Sequence, residues 1–595
     1  MSNRVGWLLA LSLPLVPAVA LSDPGSTPEA VWRGDDVNLW GGPSPDGRRL
    51  SFVDGPSGAL TLRDVVDGRR HPLDRPESAA SGEFAYFSVF DRTGDRVAYA
   101  WFNEAGFYEL RVAALHRSDP RVLFRNPEVP FVQPCAWSHD GERLLVLFFR
   151  EDNTSQIALI DVDDKRLQVL RSLHWIYPKR MDLSPDGRHL VYDNLSARDS
   201  AERDLIVLRT DGSEESTLLA GPSNDLSPVW SYDGGTIWFI SDRGGADAIW
   251  SVPVTDGKAS GAPRQLTGPI PRILLMGATR AGAVYFGRRK GVSRLYWQRW
   301  SQGPGASDSV PVAMTERIPE SDRLLPVFSP DGKNLAFLAQ VGTENQGRGH
   351  RNVVLQSIAT GASRAVPTRL TFVRSMQFSP DSKLLLLSGS DRRSRSGLFL
   401  HDLQTRRTVP IELAGSSDLR GIPGRFGGSR HSVILAVEDQ SGGSAIVERQ
   451  LEGDSEDRRI MPLPRETRLL DADQSPDGRR IALAWTSPGK ATGATIAVVG
   501  AAGGDARRVL TLPGGELTDL NWAPGGSRLV VGTRGSSGSR LWLVSASGDS
   551  MQEIPSPPDR LPGLSFSPDG KQLAYAAGKT TQEVWVLHGA DSTKP

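Results

Sequence analysis

The chain contains almost no cysteine and no excess of either charge. Cys135 is the single cysteine in 595 residues, which excludes an intramolecular disulfide and a cysteine-based metal cluster. Lysine plus arginine number 69, as do aspartate plus glutamate, so no global field attracts nucleic acid or an anionic membrane. We therefore expect a local surface to recognise any partner, and we interpret Cys135 as a small buried strand residue.

The motifs of common catalytic sites are also missing. No Gly-x-Ser-x-Gly nucleophile elbow is present, and the nine histidines show no zinc-ligand spacing. The acidic run Asp161, Asp163 and Asp164 lacks the other ligands and the glycine of a calcium loop. We therefore assign no catalytic residue, no metal site and no cofactor, and we favour a protein that is not an enzyme.

Long hydrophobic runs are confined to the amino terminus. Arg4 precedes a short apolar stretch, Val5 to Ala20, that ends in the small residues Ala18-Val19-Ala20. This pattern predicts a signal peptide over residues 1–20 and a periplasmic or secreted protein without a transmembrane span after its removal. An uncleaved anchor is the alternative, although about 16 apolar residues with two prolines are short for a bilayer span.

Glycine (62) and proline (42) are abundant, and many of them stand in one recurring phrase. Proline presets φ, aspartate bonds its own backbone and glycine takes a positive φ, so Ser-Pro-Asp-Gly predicts a turn between two strands. The phrase or a degenerate version returns about every 47 residues, which makes twelve units. It is unaltered at residues 44–47, 184–187, 329–332, 475–478 and 567–570, looser at 91–99, 138–146, 231–239, 379–387 and 523–531, and eroded at 278–286 and 424–435.

Each unit shows four short strands, and units of this kind stack radially with their edges protected by ring closure. The sequence thus predicts an all-β fold of tandem β-propellers, with twelve four-stranded blades in two six-bladed rings. Because the last unit lacks an outer strand, we expect residues 29–34 to complete unit six and residues 310–315 to complete unit twelve as latches. Residues 294–300 and 583–587 are predicted as the third strands of units six and twelve, and residues 37–40 as the first inner strand.

These units give a domain organisation. The predicted segments are a signal peptide at 1–20, a first propeller at 29–300, a linker at 301–309 and a second propeller at 310–588.

The phrase Ser-Pro-Asp-Gly-Arg/Lys-x-Leu/Ile-Ala-Phe/Tyr, together with residues 239–245, resembles the WD40-like repeat of TolB-type β-propellers. This resemblance spans nearly all of the chain after residue 20. It implies the propeller fold and, by analogy with TolB, a periplasmic protein that binds a protein partner. The small α/β domain that precedes the propeller in TolB has no counterpart here. Similar repeats also occur in the non-catalytic domains of prolyl oligopeptidase-type enzymes, so the fold does not fix the function.

Two groups of loop residues are candidates for binding. In the first ring they are aromatic: Trp101, Phe102, Phe107, Tyr108, Phe131, Trp175 and Tyr177. In the second ring they are basic: Arg348, Arg351, Arg392, Arg393 and Arg395. Aromatic side chains at a concave centre are usual anchors of protein or peptide contacts, and a basic mouth suits an anionic envelope polymer. The alternatives are aromatic rings that plug the propeller and a solvated charged rim.

The function that follows is an exported, monomeric, non-catalytic scaffold that binds a protein, a peptide or a cell-envelope component. The alternative is a hydrolase or lyase acting on a peptide or saccharide in the central funnel. Its active-site residues would come from several blades and would leave no local motif. No nucleic-acid partner is expected.

Overall fold

A computed structural model shows that strands and turns build the described part of the chain. None of its elements is a helix long and apolar enough to cross a bilayer. The structure describes residues 27–34, 36–55, 57–76, 83–103, 107–117, 119–129, 131–150, 154–173, 177–195, 202–290, 293–300, 312–313, 323–339, 352–391, 396–411, 424–427, 429, 431–438, 444–451, 457–464, 467, 469–486, 494–512, 516–535, 538–554, 556, 559–578 and 581–589. The predicted signal peptide lies outside these residues.

The amino-terminal half forms the first 23 strands. They are β1 (Glu29–Gly34), β2 (Arg49–Val53), β3 (Leu60–Asp64), β4 (Arg70–Asp74), β5 (Phe84–Phe90), β6 (Arg96–Phe102), β7 (Tyr108–Ala114), β8 (Arg121–Phe124), β9 (Phe131–Trp137), β10 (Arg143–Phe149), β11 (Ser155–Asp161), β12 (Leu167–Leu173), β13 (Met181–Leu183), β14 (His189–Leu195), β15 (Arg203–Arg209), β16 (Glu215–Leu219), β17 (Asp225–Trp230), β18 (Thr236–Ser241), β19 (Ala248–Thr255), β20 (Lys258–Ala259), β21 (Arg264–Gln265), β22 (Ile273–Ala278) and β23 (Val284–Lys290).

The carboxy-terminal half forms the remaining strands. They are β24 (Arg294–Arg299), β25 (Val312–Ala313), β26 (Arg323–Phe328), β27 (Asn334–Ala339), β28 (Asn352–Ser357), β29 (Ser363–Val366), β30 (Leu370–Phe378), β31 (Leu384–Asp391), β32 (Ser396–Asp402), β33 (Thr408–Pro410), β34 (Arg425–Phe426), β35 (Ser432–Glu438), β36 (Ser444–Gln450), β37 (Arg458–Pro462), β38 (Leu469–Gln474), β39 (Arg480–Thr486), β40 (Ala494–Gly500), β41 (Arg507–Thr511), β42 (Glu516–Trp522), β43 (Arg528–Gly535), β44 (Gly538–Ser545), β45 (Met551–Ile554), β46 (Arg560–Phe566), β47 (Gln572–Ala577) and β48 (Thr581–Leu587).

These strands pair into twelve antiparallel sheets, as the twelve sequence repeats predict. Sheets 1 to 5 are β2–β4, β5–β8, β9–β12, β13–β16 and β17–β21, and sheets 7 to 11 are β26–β29, β30–β33, β34–β37, β38–β41 and β42–β45. Sheet 6 has the strand order β22-β23-β48-β1, and sheet 12 has the order β46-β47-β24-β25. The predicted inner strand at residues 37–40 is wrong, because the inner edge of sheet 1 is only a bridge between Pro43 and Leu50.

The recurring phrase makes the predicted turn between the first two strands of a sheet. In the first copy the Asp46 carboxylate accepts the Arg48 N–H at 3.0 Å, and Gly47 has a φ of 72°. The Ser44 hydroxyl donates to the same carboxylate at 2.6 Å and accepts the Arg49 N–H at 2.9 Å, which ties both ends of the turn together. Glycine suits this φ because a side chain there would be strained.

Side chains on inner strands join each sheet to the next one. The Gln377 side chain accepts the Phe426 N–H at 2.8 Å, and Asp473 accepts the Trp522 N–H at 2.8 Å. Ser565 in sheet 12 accepts the N–H of Phe328 in sheet 7 at 3.1 Å, so the contacts of the second half return to their start. In the first half, one hydrophobic cluster packs sheet 6 against sheet 1. We call sheets 1 to 6 the first ring and sheets 7 to 12 the second ring; their closure into two six-bladed propellers remains a prediction.

Both predicted latch strands occupy the outer positions expected for them. β1 is the outer strand of sheet 6 and pairs with β48, and β25 is the outer strand of sheet 12 and pairs with β24. The third strands differ from the prediction, because β48 lies in sheet 6 and β24 lies in sheet 12. The two halves of the chain therefore exchange one strand each.

The exchange has a simple geometric basis in the pairing register. Lys290 pairs with Thr581 at the end of sheet 6, and Arg294 pairs with Ala577 at the start of sheet 12. The two pairs lie four positions apart on each chain segment, so the same antiparallel register applies in both sheets. β23 pairs with β48 and β24 pairs with β47, where the sequence predicts two separate hairpins. The domain boundaries at 29–300 and 310–588 remain a prediction.

Candidate functional site

The first ring has an aromatic cluster at the end of its channel that lies away from the repeated turns. We call it the aromatic mouth. Neighbouring rings contact edge to face or in tilted pairs, with centroid distances of 4.7 Å for Tyr108–Phe131, 5.2 Å for Phe131–Phe149 and 5.1 Å for Phe149–Tyr177. Each such aromatic pair stabilises the fold by about 0.5–1.5 kcal/mol more than the burial of its surface area alone. Its members are Trp40, Phe84, Tyr86, Phe87, Phe102, Tyr108, Phe131, Phe149 and Tyr177.

Strand register explains why these rings converge. Phe84 pairs with Phe102, Phe102 with Tyr108, and Phe131 with Phe149, always at the strand ends remote from the repeated turn. Most of the rings are half-buried, and Tyr177 is 42% exposed. Burial raises the pKa of Tyr108 to about 12, so its hydroxyl stays protonated. The mouth is thus a surface of aromatic rings that partly face solvent.

Four of the predicted aromatic residues, Phe102, Tyr108, Phe131 and Tyr177, are part of this mouth. Phe107 directly precedes β7 and is half-buried. Trp175 lies outside the described residues. Trp101 points the other way because side chains alternate along a strand. It is 1% exposed, packs between sheets 1 and 2, and donates from its indole nitrogen to Glu83 at 3.0 Å.

Five members of the mouth are not among the binding residues predicted from the sequence. Tyr86 and Phe87 lie on the inner strand β5, where only exact placement of that strand would have revealed them. Phe87 has a φ of 42°, next to a register shift between Tyr86 and Ser88. A bulky residue with positive φ is strained, and such strain concentrates at functional sites. The bulge turns the Phe87 ring towards Trp40, at 5.0 Å.

A cavity of about 490 Å³ lies beneath the mouth and runs along the channel of the first ring. Its volume falls in the range of pockets that accept small ligands, about 300–1,000 Å³. Inner-strand backbone and side chains of sheets 1 to 6 line it. The polar side chains among them include Tyr86, Ser88, Asp91, Arg92, Gln133, Cys135, Lys179, Arg180, Asp182 and Tyr232.

Contacts between repeated turns cross the far end of the channel. The Tyr232 hydroxyl donates to the Arg92 carbonyl oxygen at 3.1 Å, and Arg280 Nε donates to the Tyr232 hydroxyl at 3.2 Å. The Arg92 guanidinium lies 4.5 Å from the centre of the Tyr232 ring. These contacts join sheets 2, 5 and 6 at that end.

Arg180 spans the interior of the channel. Its Nη1 and Nη2 donate to the Leu275 and Met276 carbonyl oxygens at 3.2 and 3.0 Å, across to sheet 6. Burial raises the pKa of Asp182, an effect that the nearby Arg180 and Arg92 oppose. Burial also raises the pKa of Cys135 to about 12, which keeps the thiol neutral. A neutral thiol is a poor nucleophile.

The second ring has a different channel. Arg425 donates to the Asp471 carboxylate at 3.1 Å and to the Ala472 carbonyl oxygen at 2.7 Å. Burial raises the pKa of Asp473 to about 6, which Arg425 opposes. The predicted basic residues Arg348, Arg351, Arg392, Arg393 and Arg395 all lie outside the described residues, so the anionic-polymer site remains a prediction. Within the described chain, no group of three or more histidine, cysteine or acidic residues is arranged to hold a metal ion.

Comparison with known families agrees with this architecture. Residues 88–265, which span sheets 2 to 5, match the model of the TolB beta propeller domain. Residues 368–395 match the WD domain, G-beta repeat. The chain carries TolB-type β-propeller repeats. No curated protein sequence matches it.

Solved structures with similar folds share little sequence with these TolB-type repeats. TolB from Agrobacterium tumefaciens is 20% identical, with 40% of this chain and 83% of that chain covered and a TM-score of 0.33. The tricorn protease is 13% identical over 90% of this chain and 59% of its own, with a TM-score of 0.31. An oligogalacturonate lyase in complex with manganese is 13% identical over 68% of this chain and 96% of its own, with a TM-score of 0.27.

Proposed function

We propose that this protein is an exported, non-catalytic propeller scaffold that binds a peptide segment of a protein partner at the aromatic mouth. The supporting observation is the partly exposed aromatic network above a cavity of about 490 Å³. Aromatic side chains supply large contact areas with little loss of side-chain entropy. A cavity of about 490 Å³ inside the channel favours an extended segment or a chain end, because a folded domain would contact only the rim.

The periplasm or the exterior is the proposed location, on the evidence of the amino-terminal pattern and the TolB-type repeats. A monomer is proposed as the working state.

The alternative function is a hydrolase or lyase whose residues line the same channel. Cys135 is the thiol that lines this channel. A thiol with a pKa of about 12 is almost entirely protonated at neutral pH, which disfavours covalent catalysis by this residue. A binding role needs no ionised nucleophile, and we favour it on this ground.

Affinity selection followed by mass spectrometry tests the proposal. The chain from residue 21 is incubated with a random octapeptide library, and retained peptides are measured individually by fluorescence anisotropy. Tyr177→Ala should weaken their binding by about 30-fold or more, because an aromatic anchor contributes about 2 kcal/mol.

Leu167→Ala is the matched control, because Leu167 and Tyr177 are both 42% exposed and Leu167 lies on an outer strand. Its affinity should equal that of the wild type. Equal binding by Tyr177→Ala and wild type would contradict the mouth as the binding site. Repeated cleavage of the library peptides or of oligosaccharides would support the enzyme instead.

A further inference from the structure

The cavity beneath the aromatic mouth contains arginine groups that lack acceptors. Arg180 uses both terminal nitrogens on carbonyl oxygens of sheet 6, and its Nε–H is buried without a hydrogen-bond partner. Nη1 of Arg92 is also buried without a partner, while the guanidinium stacks on Tyr232. A buried polar group without a partner costs about 1–3 kcal/mol, and more when it is charged. Both arginines line the cavity.

Neighbouring carboxylates leave these cations only partly compensated. The cavity is lined by two carboxylates, Asp91 and Asp182. Asp91 pairs with Arg96 at 2.8 Å, outside the cavity. Asp182 accepts the Trp230 and Leu183 N–H groups, both at 2.9 Å, so its oxygens are held by the backbone.

The charge balance of the cavity is therefore positive. Burial raises the pKa of Asp182, which lowers its power to balance two guanidinium groups. Lys179 adds a third cationic group at the rim, with its ammonium 4.8 Å from the centre of the Tyr177 ring. Of the two lining carboxylates, Asp182 is the one that interacts with both the Arg180 and the Arg92 guanidinium.

A carboxylate supplies the acceptor that this arrangement lacks. Guanidinium–carboxylate hydrogen bonds are stronger than neutral ones, and the low dielectric of a buried site strengthens them further. The mouth would contact the apolar part of the same ligand, since Phe131, Phe149 and Tyr177 line the upper wall of this cavity.

We propose that the channel of the first ring binds a peptide carboxylate at Arg180 and Arg92, beneath the aromatic mouth. This inference rests on the proposed function and specifies its ligand. The carboxylate is either a chain terminus or the side chain of aspartate or glutamate. The two sources share one chemistry and differ in which modification of the peptide removes it.

The test uses the wild-type chain and the octapeptides retained in the selection described above. Each peptide is made with a free carboxyl terminus, with a terminal amide, and with Asp and Glu replaced by Asn and Gln. Loss of a charged hydrogen-bond partner should weaken binding by about 10-fold or more in one of the two modified forms. Loss on amidation identifies the terminus, and loss on side-chain replacement identifies an acidic residue.

Arg180→Gln and Arg92→Gln provide the protein side of the test. Each should weaken binding of the free acid and leave binding of the neutralised form nearly unchanged. Arg264→Gln is the control, because Arg264 is exposed on an edge strand away from the cavity. The comparison of the three peptide forms uses the wild-type protein, so it tests the proposal even if an arginine substitution prevents folding.

Equal affinity of all three peptide forms would overturn the carboxylate inference while peptide binding at the mouth stands. Retention of no peptide by the wild-type chain would overturn the proposed function and this inference together.

Discussion

Removal of the last strand should destabilise the first ring, although that strand follows the second ring in sequence. β48 is the third strand of sheet 6, where it pairs with β23 on one side and with β1 on the other. A chain that ends at Gly578 loses this strand and leaves β1 without its partner. The change therefore opens sheet 6 at the point where it packs on sheet 1.

The size of the effect follows from burial. Val584, Val586 and Leu587 are 0%, 2% and 2% exposed. Full burial of such side chains contributes about 1.5–3 kcal/mol each, or roughly 5–9 kcal/mol together. The net stability of a folded domain is about 5–15 kcal/mol. We therefore expect the first ring to lose most of its stability.

Urea unfolding, monitored by tryptophan fluorescence, measures this loss, and the alkylation rate of Cys135 reports on the first ring specifically. The control is a chain that ends at Leu587, which lacks only the polar tail and should unfold at the wild-type urea concentration. A synthetic peptide of residues 579–590 should restore stability to the chain that ends at Gly578. An unchanged unfolding midpoint for that chain would refute the strand exchange.

Two further predictions concern ionisable groups whose pKa is raised. At pH 8, iodoacetamide should alkylate Cys135 about a thousandfold more slowly than an unperturbed thiol, because the pKa of Cys135 is about 12 instead of 9.0. Equal alkylation rates in native and urea-unfolded protein would contradict this prediction. The pKa of Asp473 is about 6 in the folded protein, against an ordinary value of 3.8, so the folded state binds the proton more tightly than the unfolded state. The stability that this difference contributes is present below about pH 4 and is lost as the pH rises through 6. The stability difference between wild type and Asp473→Asn, from urea titrations, should fall by an amount on the order of 1–3 kcal/mol between pH 4 and 7, and a flat difference would count against the raised pKa.

Local chemistry made the repeats predictable from the sequence. Proline, aspartate and glycine form their turn without help from distant residues, as the Asp46 hydrogen bond to the Arg48 N–H shows. The outer positions of β1 and β25 were predictable because the last unit lacks an outer strand. The partners of β24 and β48 were not, because both are ordinary strand sequences and pairing between sheets is set by tertiary contacts.

The site was predictable only in part. Tyr108 and Tyr177 were found because the sequence places them near the ends of predicted strands. Trp101 was misjudged because a one-residue step along a strand reverses the face of a side chain. Arg180 gave no local signal, since its significance depends on carbonyl oxygens nearly one hundred residues away in the chain.

Photo-crosslinking is the most direct test of whether the first ring binds peptides through its aromatic mouth. A retained octapeptide carrying a benzophenone group is irradiated with the chain from residue 21, and the attachment sites are mapped by mass spectrometry. We expect the peptide to attach to residues that line the mouth and the cavity, such as Tyr86, Phe131, Tyr177 and Arg180. Competition by unlabelled peptide should remove the adduct. Attachment to the outer strands, or to the second ring alone, would contradict it.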